Sequence, residues 1–172
     1  MKKENQEIEA QNTGYYVSPM GLLELKASLK GLLSCKFVEE ERGVDERIDA
    51  GGEWIDTAKK ELEQYFLGQL REFTVPLDGR GTEFQQQVWD VIAHIPYGVV
   101  RSYTDIAREL GNPLVIRAAA AANGKNPLLL FVPCHRVVGK SGEMVGYSGG
   151  LWRKRDLLAF ENKIANGIQT LF

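Results

Sequence analysis

The chain has 172 residues, 44% hydrophobic and 26% charged, the ordinary make-up of a soluble globular protein, and it is long enough for one large or two small domains with a real core. No apolar run approaches the roughly 18 residues that span a bilayer, and two cysteines far apart, Cys35 and Cys134, do not make a disulfide framework. The net charge of −2 conceals an uneven balance: residues 1–80 carry 11 Lys and Arg against 16 Asp and Glu, whereas 81–172 carry 10 against 7.

The start, MKKENQEIEAQN, is polar and lacks the apolar segment of a signal peptide. It is expected to be a disordered tail on a cytoplasmic protein. Tyr15–Val17, Leu22–Ala27 and Leu32–Val38 read as short strands separated by SPMG and LKG, which carry turn chemistry. An antiparallel meander is the simplest arrangement. EEERGVDERIDAGGE is a charged connection into a helix near Trp54–Leu67, where Ile55, Ala58, Leu62, Phe66 and Leu67 keep helical spacing. TVPLDGRG has the composition of a linker and places a domain boundary near residue 80, giving an N-terminal domain of residues 1–80 and a C-terminal domain of residues 81–172.

The second domain opens with Thr82 as N-cap, and Phe84, Val88, Val91, Ile92 and Ile95 form the apolar face of a helix stopped by Pro96 and Gly98. Ser102 and Asp105 have capping-box spacing and start a helix to about Leu110. Gly111 and Asn112 make a turn, and Pro113 suits the first position of a second helix. Two short helices around a tight turn are a helix-turn-helix pattern. Arg117 is followed by five alanines, Ala118–Ala122. A helix so thin reads no bases, but it can approach a minor groove only about 6 Å wide; tight packing of the alanines on another element is the reading favoured by the helix alone. LLLFV at 128–132 reads as a buried strand delivering Pro133 and Cys134 to its end, and VGKSGEMVGYSGG as a glycine-rich loop. Its GKS fails as a phosphate loop, because Cys134 stands where the first glycine belongs. A last helix spans about Arg153–Ala165, with Glu161 bordering its buried face.

Cys134, His135 and Arg136 are adjacent in a chain with only two cysteines and two histidines. A free thiol, with a pKa of about 8.5, is a weak nucleophile until a base or a positive surrounding favours the thiolate. His135 is the candidate base, and Glu161 the candidate acid that orients it. Residues 111–155 hold seven Lys and Arg against the single Glu143, which suits an anionic partner, nucleic acid first, or else a solvated face. No CxxC or HxxxH spacing is present, so neither a metal nor another cofactor is expected.

FQQQVW, IPYGVVRSYTDIARELGNP, NGKNPLLLFVPCHRVVGKSGEMVGYSGG and LLAFE follow one another in the order and spacing of a known family. Together they resemble the O6-alkylguanine-DNA alkyltransferases, densely over residues 76–161 and more loosely before that through MGLLEL, GLLSCKF and PLDGRGT. The resemblance implies an α/β (α+β) fold, with a ribonuclease H-like N-terminal αβ domain holding an antiparallel sheet and a mostly helical C-terminal domain. It implies direct reversal of damage: Cys134 accepts the alkyl group of O6-alkylguanine in double-stranded DNA, with O4-alkylthymine left open as a second substrate, once only and as a monomer. His135 would deprotonate Cys134 through a water, Glu161 would orient His135, and Asn126 would support the active-site turn. Tyr103 would help turn the nucleotide outward and donate to the departing guanine. Arg117 would fill the gap left by the flipped nucleotide, with Ala118, Ala119 and Ala121 along the groove and Arg136 on the same substrate-binding side. Tyr147 and Ser148 would close over the base, the carbonyls of Cys134 and Val137 would take its exocyclic amine, and Lys154 would lie near Tyr103. Zinc, carried by some members, is not expected where the N-terminal domain has Cys35 and no histidine. A cysteine hydrolase, which would turn over, and a non-catalytic damage-binding module, which has another residue in place of the cysteine, are the alternatives.

Overall fold

A computed structural model describes residues 12–39, 49 and 51–167. Three strands, β1 (Asn12–Ser18), β2 (Gly21–Ala27) and β3 (Leu32–Val38), pair antiparallel in the order β1-β2-β3. The β1–β2 turn works because Gly21 takes φ 124°, a region L side chains avoid, and because the Ser18 hydroxyl accepts from the Met20 N–H and donates to the Gly21 carbonyl. The expected tail lies outside the described residues, as does most of the charged connection after β3.

Helix α1 (Glu53–Phe66) covers the sheet with Ile55, Ala58, Leu62, Tyr65 and Phe66, all buried. Its buried Glu61 accepts from the N–H groups of Thr74 and Val75 and from the Thr74 hydroxyl, fixing the chain that leaves the helix. That chain then runs along the outer edge of β3, with Leu32 N–H donating to the Pro76 carbonyl at 2.8 Å and Asp78 N–H to the Leu32 carbonyl at 2.6 Å. Further along the same edge, Cys35 N–H donates to Pro127 and Leu129 N–H donates back to Cys35, at 2.8 and 3.0 Å. The edge strand thus has its free groups satisfied by two segments from later in the chain.

The remaining helices are α2 (Glu83–Ala93), α3 (Tyr103–Glu109), α4 (Ile116–Gly124) and α5 (Leu151–Ala165). Thr82 and Ser102 each close a capping box, with Gln85 and Asp105 as the returning side chains. Pro113 opens a 3-10 turn, Pro113–Val115, that leads into α4 and does not itself begin the α-helix. Residues Arg101–Ser102 (β4) pair in parallel with Val137–Val138 (β5), a link with no sequence signature. One core gathers Leu23, Leu25, Ile55, Leu62, Val88, Ile92, Leu157 and Phe160 from the sheet, α1, α2 and α5. Among the described residues no helix is long and apolar enough to cross a membrane.

The strand expected at 128–132 is absent. Those residues are buried, but only Leu128 bridges to the sheet, and Leu130 sits at φ 73° while Val132 N–H donates back to the Leu128 carbonyl. An apolar run shows that a segment is buried, not that it is extended. A left-handed backbone is costly for a bulky residue. Here Asn126 holds it: its amide donates to the carbonyls of Val132 (2.8 Å) and Leu128 (3.4 Å), and its oxygen accepts from Leu128 N–H (2.9 Å).

Candidate active site

That turn presents Cys134. Residues Cys134–Arg136 form a single 3-10 turn after Pro133, so the chain leaves extended geometry where the proline predicts. Cys134 is only 2% exposed. Burial pushes its thiol up to about 11, against the pull of the Asn126 amide, the Lys154 charge and the nearby backbone N–H groups. At neutral pH the resting thiol therefore keeps its proton, and ionisation needs a base.

The candidate base is next in the chain. His135 is fully buried, and its Nε2 lies 2.8 Å from Glu161 Oε1. A carboxylate accepts, so Nε2 carries the hydrogen and Nδ1 keeps its lone pair. Nδ1 is buried without a protein partner. Glu161, also fully buried, accepts from Arg136 Nε on Oε2 and from Arg136 Nη2 on Oε1, both at 2.8 Å, and from the Tyr65 hydroxyl on Oε1 at 2.8 Å. Burial alone would raise its pKa, but the His135 and Arg136 contacts outweigh burial and hold the carboxyl well below the usual range.

Arg136, expected on the substrate-binding side, is 5% exposed, and its guanidinium donates to Glu161 and to the Ile95 carbonyl (2.7 Å), so it braces the carboxylate. The carbonyl of Cys134 accepts from Val137 N–H and, at 3.4 Å, from the Asn123 amide. Val137 is fully buried in β5.

On the other side of the thiol, the Tyr103 hydroxyl donates to the Val145 carbonyl (3.1 Å) and accepts from Asn123 (3.3 Å). Lys154, with no exposed surface, donates to the carbonyls of Val145 (2.9 Å) and Gly146 (3.3 Å). Its burial lowers its pKa to about 8, an effect Cys134 partly opposes. Both side chains thereby pin the loop 145–150, which carries half-buried Tyr147 and exposed Ser148. Arg153 fastens the same loop to the sheet, donating to the carbonyls of Gly149 (2.9 Å) and Met20 (2.7 Å).

Helices α3 and α4 stand beside this cluster. Along α4, Arg117, Ala118 and Ala121 form an exposed stripe, while Ala119 and Ala122 are buried. The Trp89 indole donates to the Ala122 carbonyl at 2.8 Å, tying the alanine helix to α2. Ala119 and Ala122 thus pack inward, and Arg117, Ala118 and Ala121 leave a thin surface outward. Sequence reasoning misses Tyr65 and Asn123. Tyr65 falls on the apolar face of α1 among core residues, and Asn123 lies inside the helical run, so neither carries a local signal. Among the described residues no group of His, Cys, Asp and Glu is placed to hold a metal.

A buried thiol beside a histidine–carboxylate pair, flanked by a helix-turn-helix, defines a cysteine-nucleophile protein with a nucleic-acid-binding element. Residues 13–79 match the ribonuclease-like domain of 6-O-methylguanine DNA methyltransferase, and residues 83–163 match its DNA binding domain. The chain belongs to the 6-O-methylguanine DNA methyltransferase family. It is 44% identical over 161 residues to a methylated-DNA–protein-cysteine methyltransferase of Mycolicibacterium paratuberculosis, covering 90% of this chain and 94% of that one. One from Methanosarcina acetivorans is 39% identical, over 85% and 95%. The crystal structure of Mycobacterium tuberculosis OGT in complex with DNA superposes with a TM-score of 0.77 at 41% identity, over 89% and 94% of the two chains.

Proposed function

We infer that this protein repairs alkylated DNA by taking the alkyl group of O6-alkylguanine onto Cys134. The observation that carries the reading is the buried His135–Glu161 pair, 2.8 Å apart, on the residue that follows a buried thiol in the chain. His135 Nδ1 takes the thiol proton through a water, and Glu161 stabilises the imidazolium that forms. The thiolate attacks the alkyl carbon in line, the carbon–O6 bond breaks, and guanine leaves with a proton. The product is a thioether, which water does not readily hydrolyse, and Cys35 is buried with its thiol pushed far up by burial, so it cannot relieve Cys134. Each molecule acts once.

The base reaches a thiol this deep only if it leaves the helix stack. Arg117, exposed on the slender stripe with Ala118 and Ala121, is the residue to enter the space left behind. Tyr103, Tyr147, Ser148 and Lys154 shape the pocket, since the loop they hold must shift to admit the base. Asn126 steadies the turn under the thiol. The division near residue 80 separates a sheet-bearing domain from the one holding the reactive groups. Two free, buried thiols fit the reducing cytoplasm.

The test is intact-mass analysis after incubation with duplex DNA holding O6-methylguanine. A gain of one methyl group per protein, on the peptide containing PCHR, is expected. Repeated turnover would instead indicate a hydrolase, and an adduct on Cys35 would reject the assignment of the acceptor.

A further inference from the structure

Tyr65 belongs to α1, in the sheet-bearing domain, yet its hydroxyl donates to Glu161 Oε1 across 96 residues of chain. It is 1% exposed. The rings of Phe66, Phe73, Tyr97 and Phe160 surround it at centroid distances of 5.1, 5.4, 6.0 and 5.7 Å, leaving the hydroxyl one direction to point. Burial first, and then the Glu161 charge, raise its pKa well above 10, so it remains a donor throughout the working range. Arg136 already clamps Glu161 with two hydrogen bonds, and Tyr65 is not needed to keep the carboxylate in place. It does share the one oxygen that His135 uses.

We propose that Tyr65 is a positioning residue of the transfer reaction, sharing Glu161 Oε1 with His135 and so limiting how strongly His135 draws the proton from Cys134. The proposal rests on the Cys134–His135–Glu161 reading above. A hydrogen bond to the charged form of an acid stabilises that form and lowers its basicity. Without Tyr65, Oε1 keeps more charge for the His135 N–H, the imidazolium is better stabilised, and the thiolate forms at lower pH. The other groups facing this cluster are Arg136, Tyr97 and Tyr147 around Glu161, Lys154, Tyr103 and Tyr147 around Cys134, and Arg71 over Tyr97. Removing one phenolic oxygen leaves all of them unchanged.

The test is Tyr65→Phe in the full chain, read from about pH 6 to 9. Two rates are followed: single-turnover transfer from free O6-benzylguanine, and alkylation of Cys134 by iodoacetamide, located by peptide mapping. Both profiles should move down by about half a pH unit. Ring-fluorinated tyrosine at position 65, a stronger donor of nearly the same size, should move them up. Phe160→Leu, which loosens packing around the same ring, should lower Tm without moving either profile. A Tyr65→Phe profile that overlays the wild type, or moves up, overturns the proposal. Wild-type protein that reacts with iodoacetamide but takes no methyl group from O6-methylguanine in duplex DNA would reject the alkyl-transfer reading, while the iodoacetamide profiles still decide the role of Tyr65.

Discussion

Glu161→Gln is the substitution for which the structure gives the most definite expectation. The carboxylate accepts four hydrogen bonds, from Tyr65, His135 and twice from Arg136. A glutamine offers one acceptor oxygen and turns an NH2 group toward donors. Arg136 then loses its counter-charge while its buried guanidinium keeps the Ile95 carbonyl and the Tyr97 ring. Removing one partner of a buried ion pair costs about 3–5 kcal/mol. For a chain of this size each kcal/mol is worth roughly 2–4 °C, so Tm at pH 7 should fall by about 6–20 °C. The pH dependence has a definite sign. Glu161 is held well below the ordinary carboxylate range, so its stabilisation is complete above the unfolded value of about 4.3 and is lost as pH falls toward the folded one. The Tm gap between wild type and variant should therefore narrow below about pH 4. In activity, transfer should slow and its profile should move to higher pH, because His135 loses the charge that supports its protonated form. Thermal unfolding by circular dichroism at both pH values, with single-turnover kinetics, checks both expectations. A Tm change at pH 7 below about 2 °C would refute the account of the buried carboxylate.

Arg117→Ala should strongly slow repair of duplex DNA and have much less effect on free O6-benzylguanine, since only the duplex pays an unstacking cost of a few kcal/mol. A mismatch opposite the lesion should partly rescue it; equal losses on the two substrates would mean that Arg117 supports the pocket. Lys154→Met removes a cation that stabilises the Cys134 thiolate, so transfer from the free base should slow at pH 7. Because the native lysine loses its own charge near pH 8, the ratio of wild-type to variant rate should shrink as pH rises through that value, and a constant ratio would deny Lys154 an electrostatic role.

Local rules account for what is legible in the sequence. The three strands alternate between turns that glycine and serine make possible, and Ser102 and Asp105 announce the start of α3 through a capping box. Cys134 and His135 are legible because rare residue types stand side by side. What the sequence conceals depends on contacts between distant residues. Leu130 turns left-handed because Asn126 holds the carbonyls around it, which hydrophobic spacing cannot express. Arg136 looks like one more cation in a basic stretch until the fold brings Glu161 to it. Tyr65 reads as core, and only the meeting of α1 with α5 turns its hydroxyl toward a carboxylate.

The hydrogen bonds of Cys35 to Pro127 and Leu129 have a mechanical consequence. The segment that leads into the reactive turn bridges at Leu128 to the edge of a sheet made by the other end of the chain, so main-chain hydrogen bonds join the two parts and they are not merely pressed together. A protease nick in the Gly79–Gly81 stretch would leave two fragments still bound as a pair, each holding one side of this bridge. The amides of Cys35 and Leu129 should exchange with solvent at one common rate, since neither opens without the other. Loosening the sheet anywhere along β3 would slacken the anchor of Cys134, which makes the reactivity of this thiol a gauge of the integrity of the whole fold.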